Sequence, residues 1–204
     1  MNDADPVSDA EATFYFDLGS PFVYLAAERL PRFGLRPSWR PVSLGALFKA
    51  TGRSSWGLGP RRELGMAEVE SRARAYGLAP IVWPEGWPSN YLNANRACVV
   101  AEQHGLLEPF TIAALRMAFA EGADLSHEEA ILKAGRRAGL DPATLSPSIA
   151  APPIKQRLRE YTDAAHVRGV RGVPTLELAG RLFWGDDQLE IATSVRRARA
   201  PRRR

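Results

Sequence analysis

The stretch Thr13-Phe14-Tyr15-Phe16-Asp17-Leu18-Gly19-Ser20-Pro21-Phe22-Val23-Tyr24-Leu25 runs an apolar strand into a small-residue turn and out again as a helix. Ser20 stands where a helix wants its N-cap, and Pro21 occupies the first helical position, where its missing N–H is no loss. The free amides and the positive dipole end of that helix then point at whatever Ser20 touches. Any fold containing this segment must set a strand against a helix with a hydroxyl at their junction.

The flanking pattern extends this unit. A helix over residues 21–33 carries Phe22, Leu25, Ala26 and Leu30 on one face and stops at Gly34. A second strand over residues 36–42 surrounds Trp39, which completes a right-handed βαβ unit. Residues 44–168 are mostly helical in pattern, with helices expected near 61–76, 90–104, 108–121, 126–138 and 153–168. Ser126 and Glu129 have the spacing of a capping box, and Asp141-Pro142 reads as a cap followed by proline at the first helical position. Strand character returns over residues 173–178 and 181–184 on either side of Ala179-Gly180, a hairpin. A closing helix begins near Asp186-Asp187, whose acids suit a helix N-terminus. The order βαβ, helical block, ββα is that of an α/β thioredoxin-like fold split by a large all-helical insertion. The expected division is residues 13–43 and 169–195 for the thioredoxin-like part, 44–168 for the insertion, and flexible tails at 1–12 and 196–204.

Composition narrows the classes of partner. Of 27 Lys and Arg residues, six lie in the last nine positions (Arg196, Arg197, Arg199, Arg202, Arg203, Arg204), so the remaining 21 stand against 23 acids. The body is therefore slightly acidic and nucleic acid is not an expected partner; only the arginine tail suits one. The acidic N-terminal stretch is no signal peptide, and no apolar run is long enough to span a bilayer. The single cysteine, Cys98, excludes an intrachain disulfide and fits a reducing, cytoplasmic setting; placed beside Val99 and Val100, it reads as buried. His104, His127 and His166 lack metal-ligand spacing, so no metal is expected. No glycine-rich phosphate loop is present.

A thiol–disulfide enzyme of this layout carries Cys-x-x-Cys at the turn. Here those four positions are Ser20-Pro21-Phe22-Val23, so a hydroxyl replaces the first thiol. Such a site stabilises another molecule's thiolate instead of supplying one. Four segments together resemble the 2-hydroxychromene-2-carboxylate isomerases and kappa-class glutathione transferases of the DsbA-like thioredoxin superfamily. They are residues 14–25; Leu47-Phe48-Lys49-Ala50-Thr51-Gly52 with Pro60-Arg61-Arg62; Gly169-Val170-Arg171-Gly172-Val173-Pro174-Thr175; and Phe183-Trp184-Gly185-Asp186-Asp187-Gln188-Leu189.

That resemblance implies glutathione, or another low-molecular-weight thiol, as cofactor. It makes Ser20 the hydrogen-bond donor to the thiol sulfur and Val173-Pro174 a cis pair whose backbone takes up the extended tripeptide. Asp187 receives the γ-glutamyl ammonium, with Gln188 where relatives commonly have Arg. Arg62 matches a lysine that faces the glycine carboxylate, and its fork retains the charge. Arg53 replaces an Asn that contacts ligand; lacking an acceptor, it suits an anionic substrate or a different thiol. Trp83 and Trp87 are candidate walls for a small aromatic substrate, with Asp186 an ordinary cap as the alternative to a role for that end of the site. The implied reaction is an isomerisation in which the thiolate adds to an unsaturated aromatic carboxylate, a bond rotates and the thiolate leaves. A kappa-like transferase and a non-catalytic thioredoxin-like binding protein are the alternatives, and a homodimer is consistent with relatives.

Overall fold

The computed structural model describes residues 12–199; residues 1–11 and 200–204, which hold most of both expected tails, lie outside the described residues. Four strands form one mixed sheet in the order β2-β1-β3-β4. The central strand β1 (Ala12–Phe16) pairs parallel with β2 (Ser38–Pro41) and antiparallel with β3 (Thr175–Leu178), which in turn pairs antiparallel with β4 (Arg181–Trp184). The register sets Phe14 opposite Trp39 on one side and Leu176 on the other. Phe14 and Phe16 meet the Trp39 ring edge-on, at 5.0 and 5.6 Å between centroids, the geometry that aromatic quadrupoles favour. Ala179 and Gly180 turn the β3–β4 hairpin with φ of 50° and 73°, the left-handed pair that matches strand twist.

Between β1 and β2 runs α1 (Pro21–Arg29), continued as a 3₁₀ turn over Leu30–Phe33 and ended by Gly34 in the left-handed region. The helical block comprises α2 (Leu44–Ala50), α3 (Arg62–Ala75), α4 (Leu92–Gln103), α5 (Leu107–Phe119), α6 (Glu128–Ala138), α7 (Pro142–Ile149) and α8 (Pro152–Val167). The chain closes with α9 (Leu189–Arg199), entered through a 3₁₀ turn at Asp186–Gln188. Helix α5 packs on α1, α8 on β2 and α9 on β3. One continuous buried cluster joins sheet residues such as Phe14 and Phe16 to Phe110, Leu115 and Phe119 of α5. This is the expected thioredoxin-like arrangement with a helical insertion.

Two local expectations change. Ser126 does not cap α6. Asp124, two residues upstream, accepts both the Ser126 N–H (2.9 Å) and its hydroxyl (2.8 Å), which leaves His127 as a cap without a side-chain bond. Asp141 does cap α7, accepting the Ala143 N–H at 3.0 Å. At the other end, Arg196 lies within α9 and donates to the carbonyls of Gly34 (2.8 Å) and Phe33 (3.1 Å), so helix continues into the expected tail.

The turn between β1 and α1 is organised by Asp17. Its side chain is buried and accepts the Gly19 N–H at 2.8 Å through one oxygen and the Leu44 N–H at 2.7 Å through the other. Its own carbonyl accepts the Ser20 N–H at 3.1 Å. Asn95 of α4, also buried, accepts the Leu18 N–H at 3.0 Å. Gly19 must be glycine, because a Cβ there would lie 2.6 Å from the Tyr91 ring. Replacing Asp17 by Ala leaves two part-buried N–H groups without their acceptor, at about 1–3 kcal/mol each. Asp17→Ala should therefore lower unfolding free energy in urea by about 2–5 kcal/mol, and Asp17→Asn by less. A loss in Asp17→Ala below about 0.5 kcal/mol, the scatter of ordinary surface changes, would contradict this assignment.

Candidate functional site

A cleft of 330 Å³ opens where the α1 N-terminus, the α2–α3 connection, the loop before β3 and the β4–α9 loop converge. Ser20 lines it. Its backbone has N-cap geometry (φ −98°, ψ 117°) and its carbonyl accepts the Val23 N–H at 3.0 Å, yet its hydroxyl makes no capping bond. The sequence pattern thus places a cap position correctly, while the hydroxyl itself is left for the cleft. Val173 and Pro174 border the same space, their peptide bond is cis, and the Pro174 carbonyl accepts the Gly185 N–H at 2.9 Å. A second cis peptide, Trp87-Pro88, lies nearby; nothing in the sequence pattern had singled it out.

At the acidic end the structure departs from the alternative reading of Asp186 as an ordinary cap. Asp186 is buried, not a surface cap, and accepts from Arg72 Nη1 at 2.8 Å and from the Tyr76 hydroxyl at 2.9 Å. Its main-chain carbonyl accepts from Arg29 Nη1 at 2.8 Å, and the buried Arg29 guanidinium lies 3.6 Å from the Tyr76 ring centroid. Burial pushes the Asp186 carboxyl up, against the opposing pull of Tyr76 and Arg72. Asp187 is half-exposed, lines the cleft and stands 3.7 Å from Arg72. Gln188 is not among the lining residues; its N–H closes the turn on the Gly185 carbonyl at 3.3 Å.

Aromatic groups make the opposite wall. Trp87 is buried, lines the cleft and donates its Nε1–H to the Gly19 carbonyl at 3.1 Å. Trp56 packs against it at 5.0 Å between centroids. Trp83 packs on Trp87 at 4.8 Å and on Phe119 at 6.2 Å, and donates to Glu70 at 2.8 Å. It backs the wall and does not line the cleft. Arg62 also stands outside the lining, donating to the Trp87 carbonyl through Nη2 at 3.0 Å and pairing with Glu63 at 2.9 Å. Arg53 does border the cleft. Its guanidinium donates to the Arg171 carbonyl at 2.9 Å and lies 4.8 Å from the Trp184 ring centroid.

The structure therefore brings together Ser20, Val173, Pro174, Asp187, Arg53 and Trp87, and sets Arg62, Trp83 and Gln188 behind or beside them. Sequence reasoning did not single out Arg72, Trp56 or Trp184 as lining residues. No spacing marks Arg72, whose partner lies 114 positions away; the two tryptophans stand in or beside the matched segments and had the composition of a wall.

Residues 12–194 match the family described as the DSBA-like thioredoxin domain, and the chain belongs to that family. It is 29% identical over 188 residues to a 2-hydroxychromene-2-carboxylate isomerase of Sphingobium xenophagum, covering 89% of this chain and 95% of that protein. It is 27% identical over 195 residues to the glutathione S-transferase kappa 1 of Homo sapiens, covering 87% and 86% of the two. A solved structure of 2-hydroxychromene-2-carboxylate isomerase superimposes with a TM-score of 0.78 at 25% identity, covering 90% of this chain and 93% of that one. No helix among the described residues is long and apolar enough to cross a membrane.

Burial and the bond to Asp186 push the Tyr76 hydroxyl from 10.0 up to about 12. A phenol whose native pKa lies above its unfolded value stabilises the fold fully below pH 10, and loses that contribution as pH rises through 12. Unfolding midpoints in urea should fall more steeply over this range in wild type than in Tyr76→Phe. Parallel profiles would contradict the pairing of Tyr76 with Asp186.

Proposed function

We propose that this DSBA-like thioredoxin-domain protein is an isomerase of the 2-hydroxychromene-2-carboxylate type. Its partners are glutathione or a comparable low-molecular-weight thiol, and an unsaturated aromatic carboxylate as substrate. The observation that carries this reading is Ser20: a hydroxyl at a helix N-terminus, lining a cleft and free of capping, in a chain that has no cysteine at that turn.

The donor set suits such a thiol. The cleft offers a hydroxyl, a half-exposed carboxylate at Asp187, an arginine at Arg53 and the chain around the cis Val173-Pro174 bond. In this reading the Ser20 hydroxyl donates to the sulfur, and the α1 dipole adds to the preference for a thiolate; each pKa unit gained is worth about 1.4 kcal/mol. Val173 presents backbone to an extended peptide-like ligand, and Asp187 receives its ammonium. Gln188 and Arg62 act at one remove, through the turn at Gly185 and through the Trp87 carbonyl. When bound, the thiol supplies a nucleophilic sulfur able to add reversibly to an electron-poor carbon. Arg53 attracts the substrate carboxylate, Trp87 gives a flat wall beside Ser20, and Trp83 keeps Trp87 in place. A single buried cysteine fits work in a reducing, cytoplasmic compartment.

The test is turnover of 2-hydroxychromene-2-carboxylate, with free glutathione titrated alongside. Isomerisation should require glutathione and return it unchanged. Ser20→Ala should lower kcat/KM at neutral pH by about tenfold for each pKa unit by which the bound thiol becomes less acidic. Stoichiometric consumption of glutathione would indicate a transferase instead. Turnover that needs no thiol, or a fully active Ser20→Ala, would remove the reading.

A further inference from the structure

We propose that the open edge of the sheet at β4 is a docking surface for an acidic, extended segment of a partner protein, with Leu182 and Trp184 as its apolar contacts and Arg53, Arg171 and Arg181 as its cations. The proposal stands on the shape and charge of this edge and not on the isomerase reading. β4 ends the strand order, so it is bonded to β3 on one side only. Among the described residues no main-chain hydrogen bond from any other segment reaches residues 181–184. The outer side of the strand therefore keeps donors and acceptors that an added strand can take up.

Alternation along β4 turns Phe183 into the core and leaves Leu182 and Trp184 together on the opposite face, in register with Glu177 and Thr175. Helix α8 lies against β2 at the other end of the sheet, and its C-cap residue Arg168 reaches Glu177 of β3 at 3.1 Å. Beyond that point the surface is apolar: Trp184 is 52% exposed, Leu182 36%, and Val167 at the end of α8 86%. Gly169 and Gly172 let the connecting loop run close by. A Cβ at these positions would stand 3.4 Å from Leu182 Cδ1 and 2.8 Å from the Trp184 indole. The loop thus holds both side chains on one side, and they remain exposed on the other, where a bound segment would take them out of water.

Charge selects the partner. Arg181 opens β4, Arg53 lies 4.8 Å from the ring centroid of Trp184 at the other end of the strand, and Arg171 belongs to the flanking loop. None of the three forms a salt bridge with a carboxylate among the described residues; Arg53 and Arg171 donate to the carbonyls of Arg171 (2.9 Å) and His166 (2.8 Å). The neighbouring acids are engaged. Glu177 accepts from the Tyr15 hydroxyl at 2.8 Å and pairs with Arg168, and Asp187 stands 3.7 Å from Arg72. The edge is therefore cationic and suits carboxylates. A second copy suits it poorly, because pairing β4 with β4 about a two-fold axis would set these arginines against their own copies.

Short fluorescein-labelled peptides separate these contributions: one alternating Glu with Val, one alternating Lys with Val, and one alternating Glu with Ser. Anisotropy should be measured on wild type, Arg171→Glu and Leu182→Glu, each checked for native circular dichroism, with amide hydrogen exchange followed in β4. Wild type should bind the Glu-Val peptide at least about tenfold more tightly than either other peptide, each variant should weaken it about tenfold, and bound peptide should slow exchange in β4. The proposal falls if wild type binds none of the peptides, if the Lys-Val peptide binds as well, if a variant with native dichroism binds as wild type does, or if exchange in β4 is unchanged. Two further results would overturn it by assigning the edge to another occupant. One is concentration-dependent self-association in the ultracentrifuge that Leu182→Glu abolishes. The other is peptide binding that appears only once residues 1–11, with Asp3, Asp5, Asp9 and Glu11, are removed.

Discussion

The buried carboxylate of Asp17 fixes the geometry on which the site depends. Among the described residues it has no cationic partner; burial pushes its pKa up, and main-chain N–H groups from Leu44 and Gly19 oppose that push. Those two bonds tie the β1–α1 turn to the first turn of α2, so the strand, the Ser20 junction and the start of the helical block form one rigid corner. The Ser20 amide is held by the Asp17 carbonyl, and the Ser20 carbonyl begins the helix. Both main-chain groups of Ser20 are thus engaged, its hydroxyl makes no capping bond, and the residue lines the cleft.

The helical block holds the walls of the cleft in two further ways. Arg62 at the start of α3 grips the Trp87 carbonyl, and the Trp87 indole N–H holds the Gly19 carbonyl, a relay from helix to turn. Arg72 in the last turn of α3 and Tyr76 at its C-cap clamp Asp186 ahead of α9. A single helix thereby fixes the aromatic wall and the acidic wall against each other. Asp187, half-exposed beside this clamp and 3.7 Å from Arg72, lines the cleft.

Much of this was legible in the chain because it rests on local chemistry. The strand-Ser-Pro-helix junction, the Ala179-Gly180 hairpin and the Asp141 cap each follow from one or two residues whose backbone preferences are strong. Ser126 shows where local reading fails: its spacing to Glu129 fitted a capping box, but Asp124 competed for the same hydroxyl and N–H. The partners of Asp186 were illegible for another reason. Arg72 and Tyr76 lie more than a hundred residues earlier, and only the packing of α3 against α1 and its neighbours brings them close. Arg62 and Trp83 belonged to the right region but to its supporting layer, a distinction set by side-chain direction that periodicity does not record.

The central claim is that Ser20 stabilises a bound thiolate, and the most direct measurement is the ionisation of glutathione held by the protein. Thiolate absorbance should be followed across pH for wild type and for Ser20→Ala. A free thiol ionises near pH ~8.5. In wild type the bound thiol should ionise at lower pH than this, and in Ser20→Ala its midpoint should move back toward the free value. The same midpoint in both proteins, or none below that of free glutathione, would contradict the account.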